Sequence, residues 1–188
     1  MLFSRALIAA AAVTATALAT AAPALAGPPF ICHAFELSGN PSLPWSTSAV
    51  GGWNNPDPTY DVSRLPADVP KLLTAALPVS ARMETLRRAT IYASRDRAVA
   101  DALLKVLEAR AQANPADANA LFDAGFLTEA YRQASRVYEW DMLQGREKER
   151  WTMRAAPAGD GAKLIDAAVA LNTAQAPEMR KARQLLVR

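Results

Sequence analysis

This 188-residue sequence has one cysteine and one histidine, the neighbours Cys32 and His33. A single cysteine excludes an internal disulfide framework, so the fold has to rest on packing. A lone histidine leaves most hydrolytic mechanisms without their usual base. Paired catalytic carboxylates, G-x-S-x-G, H-E-x-x-H and the phosphate-binding loop are all missing, and no motif asks for a cofactor. Charge is also short of one sign: 21 basic against 18 acidic residues leave a net of +3, too balanced to suggest a nucleic-acid partner. After residue 26 there is no apolar run long enough to span a bilayer.

The first 26 residues are of a different kind. Arg5 gives a short positive start, Ala6–Ala22 is uncharged and apolar, and Ala24-Leu25-Ala26 forms an A-x-A site before Gly27. This pattern predicts a cleaved Sec-type signal peptide over 1–26 and a periplasmic or secreted protein over 27–188. A lipoprotein is not expected, since Gly27 and not Cys32 follows the cleavage site.

Residues 27–66 hold seven of the thirteen prolines and show no helical period. Proline removes a donor and restricts the residue before it, so the segment is expected to be extended or turned. Phe30, Ile31, Phe35, Leu43, Trp45, Trp53 and Tyr60 make it too apolar for a solvated linker. The expectation is a Pro/Trp-rich strap across the rest of the chain, anchored by Trp45 and Trp53.

From Pro66 the composition turns to alanine, leucine and arginine. Asp96–Ala113 spaces Val99, Leu103, Val106 and Leu107 three and four apart, and Leu121, Phe122, Phe126, Ala130, Val137 and Trp140 form a second stripe beyond Asn114-Pro115. A short helix is expected between Ala67 and Leu77. Another opens at a Ser80 cap with Met83, Leu86, Thr90 and Ala93 inward; Ser94 and Asn114 read as the next caps, and Gly145 as the end of the long helix. Arg146–Arg154 reads as a helical turn or an exposed loop around Trp151 and Met153. Asp160 opens a helix to Leu171, and Glu178–Val187 forms the last. The expected fold is all-α, five to six helices in antiparallel hairpins over 67–188, with the strap packed on them. Ala118–Tyr131 is similar to a tetratricopeptide unit, but the next break that a 34-residue period requires is missing.

Three groups are candidates for function. Cys32, His33 and Glu36 supply thiol, imidazole and carboxylate donors for a metal, although neighbours in an extended segment point to opposite sides and a closed zinc site needs four ligands. The plainer alternative is a packed free thiol with a structural histidine; an intermolecular disulfide is the third. Trp45 and Trp53 serve either as anchors or as a stacking platform for a ligand. Arg87, Arg88, Tyr92 and Tyr131 would line a groove for a peptide or protein partner, the plain reading of the arginines being solvated helix faces. Asn54, Asn55, Asp57 and Asp61 lack the EF-hand pattern and read as turn chemistry. The preferred expectation is a non-enzymatic binding or scaffold protein with a helical-hairpin groove for a protein or peptide. The alternative is a small-molecule or metal-handling protein, or an enzyme, using Cys32, His33 and the strap aromatics.

Overall fold

A computed structural model describes residues 30–46, 52–138, 142 and 160–186. Residues 1–26, expected as a signal peptide, Trp140, Gly145, the 146–154 stretch with Trp151 and Met153, and Val187 lie outside the described residues. The fold is all-α. Two 3-10 turns, Phe30–Cys32 and Val62–Arg64, precede α1 (Leu65–Leu72), α2 (Val79–Ala93), α3 (Arg97–Ala113), α4 (Ala118–Val137), α5 (Asp160–Leu171) and α6 (Ala176–Leu186). Among the described residues the only β feature is an isolated antiparallel bridge between Trp45 and Pro56. No helix among them is long and apolar enough to cross a membrane.

The helix starts are set by aspartates more than by the serines and asparagine expected. Asp96 caps α3 by accepting from the N–H groups of Ala98 and Val99, and Asp117 caps α4 through Asn119 and Ala120. A carboxylate satisfies two otherwise unpaired donors and favours the positive helix end, which a neighbouring Ser94 or Asn114 does less well. Ser94 and Asn114 instead close the preceding helices, and α2 opens after Pro78, one residue ahead of Ser80.

Helix α2 packs against α1, α3, α4 and α6, and α4 against α2, α3, α5 and α6. Thirteen of the fifteen residues of α2 are buried, including Arg82, Glu84, Thr85, Arg87 and Thr90. This corrects the expectation that its arginines form solvated faces. A helix carrying such residues can sit at the centre only when each charge finds a partner inside, and the next section identifies them. Threonines 85 and 90 donate to the carbonyls of Ala81 and Leu86, and the Thr85 hydroxyl also bonds that of Ser42 at 3.0 Å.

Helix α4 is buried from Ala120 to Tyr131 and carries α5 on its far side. The two helices touch at Gly125 and Gly161: a Cβ built on Gly125 would lie 2.5 Å from the Gly161 carbonyl oxygen, and one on Gly161 would lie 2.6 Å from the Gly125 oxygen. Backbone cannot retreat as a flexible side chain does. Glu129 of α4 accepts from the Ala162 N–H at 3.2 Å, a carboxylate at the positive end of α5. At the other terminus, Arg132 and Gln133 both donate to the Leu186 carbonyl at 3.1 Å, closing α6 with side chains from α4. Gly125→Ala is expected to cost about 1–3 kcal/mol or more through overpacking. Thermal unfolding checks this: at about 2–4 °C per kcal/mol the fall in Tm is readily measured, and an unchanged Tm would contradict the close approach.

Candidate functional site

Glu84 sits on α2 with 1 % of its side chain exposed and takes four donors. Its Oε2 accepts from the Phe35 N–H at 2.9 Å and from Arg87 Nε at 2.8 Å. Its Oε1 accepts from Arg87 Nη2 at 2.8 Å and from Arg88 Nε at 2.7 Å. Burial alone would raise the carboxyl's pKa, but the Arg87 bonds and charge, the Phe35 N–H and Arg88 outweigh it and hold the group below its ordinary value. Each arginine then reaches the N-terminal segment. Arg87 Nη1 donates to the carbonyls of Ile31 (3.0 Å) and Trp53 (3.1 Å), and Arg88 Nη1 donates to that of Leu43 (2.7 Å). One turn further on, the Tyr92 hydroxyl donates to the Pro44 carbonyl (2.7 Å) and accepts from the Asp57 N–H (2.9 Å).

These contacts are almost all to backbone atoms. Side chains complete the seal: Trp45 lies with its ring edge-on to Tyr92 and within 5.0 and 5.3 Å of the Arg87 and Arg88 guanidinium carbons, and Phe30 and Phe35 pack on Phe126. Such cation–π contacts are worth about 0.5–2 kcal/mol, more when the cation is desolvated. Ser46 N–H bonds the Asn55 carbonyl, which brings the two arms of the segment together beside the Trp45–Pro56 bridge.

The groove expected at Arg87, Arg88, Tyr92 and Tyr131 is therefore not open. The chain's own Ile31, Leu43, Pro44, Trp53 and Asp57 lie against the first three, while Tyr131 is fully buried with its hydroxyl donating to the Ala100 carbonyl of α3. Trp45 and Trp53 are half-buried in the same seal.

Cys32 is half-buried, and burial raises its thiol pKa against the opposing pull of Arg87. His33 and Glu36 are exposed. Among the described residues no three His, Cys, Asp or Glu side chains come together as metal ligands, so the expected trio does not converge. Asp57 accepts from the N–H and hydroxyl of Thr59, and Asp61 does the same with Ser63; both carboxyls are held below their ordinary pKa by those bonds, as turn-forming residues are.

An open feature lies on the other side of the segment. A cleft of about 320 Å³ runs between residues 42–44 and the start of the helical region. Ser42, Leu43 and Pro44 form one wall; Tyr60, Arg64, Asp68, Lys71 and Leu72 form the other. The charged residues stand at i, i+4 and i+7 along the 3-10 turn and α1. Asp68 holds them together, accepting from Tyr60 hydroxyl at 3.2 Å and pairing with Arg64 at 3.2 Å and Lys71 at 3.5 Å. Burial first, and the Asp68 charge second, push the Tyr60 hydroxyl's pKa upward, so it remains a protonated donor. Arg64 and Lys71 keep 63 % and 74 % of their side chains exposed, leaving two exposed cations around one shared carboxylate.

No family model, curated protein or solved structure matches this chain.

Of the cleft residues, the sequence pointed to Leu43 and Tyr60, as apolar members of the strap. The signal for the others is the Arg64-Asp68-Lys71 spacing, which places three charges on one helix face. What it does not convey is that Leu43-Pro44 folds back to face them.

Proposed function

We propose that this is an exported, non-enzymatic binding or scaffold protein, periplasmic or secreted, that receives a short extended segment of a partner protein in the cleft between residues 42–44 and α1. The observation that carries the reading is the cleft itself: apolar surface from Leu43, Pro44, Leu72 and the Tyr60 ring, bordered by the exposed cations Arg64 and Lys71. Apolar walls with a few placed polar groups are the usual composition of a binding site. The positive balance of Arg64 and Lys71 over Asp68 favours a segment with an apolar residue beside a carboxylate. The export pattern of residues 1–26 supplies the compartment. Cys32, His33 and Glu36 do not line the cleft, and no contact among them favours the metal-handling or enzymatic alternative.

Selection of a random peptide library on the processed chain tests this. The expected binders carry an acidic residue next to an aliphatic or aromatic one. They should weaken roughly tenfold, about 1.4 kcal/mol, on Lys71→Glu and lose binding on Leu72→Asp. Failure to enrich any binder, or binders indifferent to both changes, would contradict the proposal.

A further inference from the structure

The turn joining α1 to α2 is gripped from three helices at once. Arg110 Nη2 of α3 donates to the Leu73 carbonyl at 3.5 Å, Arg82 Nη2 of α2 donates to the Thr74 carbonyl, and Asn119 Nδ2 of α4 donates to the Ala75 carbonyl at 3.4 Å. Three consecutive carbonyls thus gather three head groups in one place. Asp123 lies one turn beyond Asn119 on the same face of α4, and its Oδ2 takes Arg82 Nη1 at 2.7 Å with both side chains at most 1 % exposed. The charges of Arg82 and Arg110, and of Asp117 at the α4 cap, all act on its carboxyl.

Each of these four head groups has one buried atom that finds no protein partner among the described residues: Arg82 Nε, Arg110 Nη1, Asn119 Oδ1 and Asp123 Oδ1. A buried polar atom left unpaired costs about 1–3 kcal/mol and is rare in native proteins, so four in one cluster call for a common partner. Two are donors and two are acceptors. An anion would meet the Asp123 carboxylate and a cation would meet two guanidinium groups. A small neutral molecule with both donor and acceptor capacity matches the set.

We propose that this cluster is an internal hydration site, in which buried water accepts from Arg82 Nε and Arg110 Nη1 and donates to Asn119 Oδ1 and Asp123 Oδ1. Internal waters typically make about three protein hydrogen bonds and are costly to remove. The water completes a polar plug that fixes the α1–α2 turn, and with it the angle at which α1 presents Asp68, Lys71 and Leu72. The site is independent of any ligand in the cleft.

A high-resolution crystal structure of the processed chain provides the test, with a nuclear Overhauser effect from water to the Arg82 Nε proton as the solution counterpart. The expected result is buried solvent density within hydrogen-bond distance of at least three of the four atoms, and an Overhauser effect of the negative sign given by long-lived internal water. Direct pairing of the four head groups with one another, or solvent touching fewer than three of them, would overturn the proposal.

Discussion

Glu84→Ala is expected to destabilise the fold by about 3–5 kcal/mol, the cost of breaking a buried ion pair by removing one partner. The loss is large because Arg87, with 1 % of its side chain exposed, would keep its charge and lose the carboxylate that takes two of its donors. Arg88 and the Phe35 N–H would lose their shared acceptor as well. Glu84→Gln keeps the shape and one acceptor oxygen, and should fall between alanine and wild type. Urea unfolding gives the energies. The reaction of Cys32 with a thiol reagent gives the location: Ile31, whose carbonyl Arg87 holds, is its neighbour, so labelling should quicken in proportion to release of the segment. A change within about 0.5 kcal/mol, typical of surface substitutions, would contradict the burial described. Because the Glu84 pKa is lowered, its contribution is present above about 4.5 and lost as pH falls below that.

The second large effect runs the other way with pH. Full burial raises the Asp123 carboxyl from 3.8 to about 6, outweighing the charge and hydrogen bond of Arg82 and the charge of Arg110. The folded protein therefore binds a proton more tightly than the unfolded chain. The resulting stability is full below 3.8 and is lost as pH rises through 6. The whole change is at most about 3 kcal/mol, and part of it falls above pH 5, where Glu84 stays charged. Water donating to Asp123 Oδ1 would draw the midpoint down, so these figures are upper values. Chemical unfolding between pH 5 and pH 7.5 should show wild type losing stability and Asp123→Asn losing much less. Equal slopes for the two proteins would contradict the assignment.

The helices were legible because their evidence is local. Leu103 and Leu107, or Phe122, Phe126 and Ala130, lie within a turn or two of one another and fall into the core as their spacing requires. The place of α2 was not legible. Arg82 and Arg87 read as solvent-facing by their type, and their partners Asp123, Ile31 and Trp53 lie 41, 56 and 34 residues away. Glu84 and Arg88 likewise stand at the i,i+4 spacing that on a helix surface is worth a few tenths of a kcal/mol, yet both side chains are at least mostly buried. The stretch from Asp96 onward is the most periodic part of the sequence. Within it α4 packs on α2, α3, α5 and α6, and the structure adds to that core α2, a helix whose stripe is interrupted by the charges that hold the N-terminal segment. Gly125 and Gly161 carry no sequence mark of their contact, which depends on how α4 and α5 cross.

For function, the most conspicuous side chains and the most accessible ones proved to be different sets. Arg87, Arg88 and Tyr92 form a grip that reads backbone, and the backbone it holds belongs to the same chain. The cleft beside Tyr60 draws on the strap for one wall and on α1 for the other, so the grip on α2 also determines whether the cleft exists. Loosening the segment by Glu84→Ala should accordingly weaken peptide binding without touching a cleft residue.

Residue-resolved amide hydrogen exchange tests this arrangement most directly. Phe30, Phe35 and Asp57 donate their N–H groups to Gln133, Glu84 and Tyr92, three side chains on α4 and α2. The expected result is slow exchange at all three, with Phe35 losing protection in Glu84→Ala. Exchange at these amides as fast as in an unstructured peptide, while α2 remains protected, would show that the segment does not rest on the helix and would contradict the account.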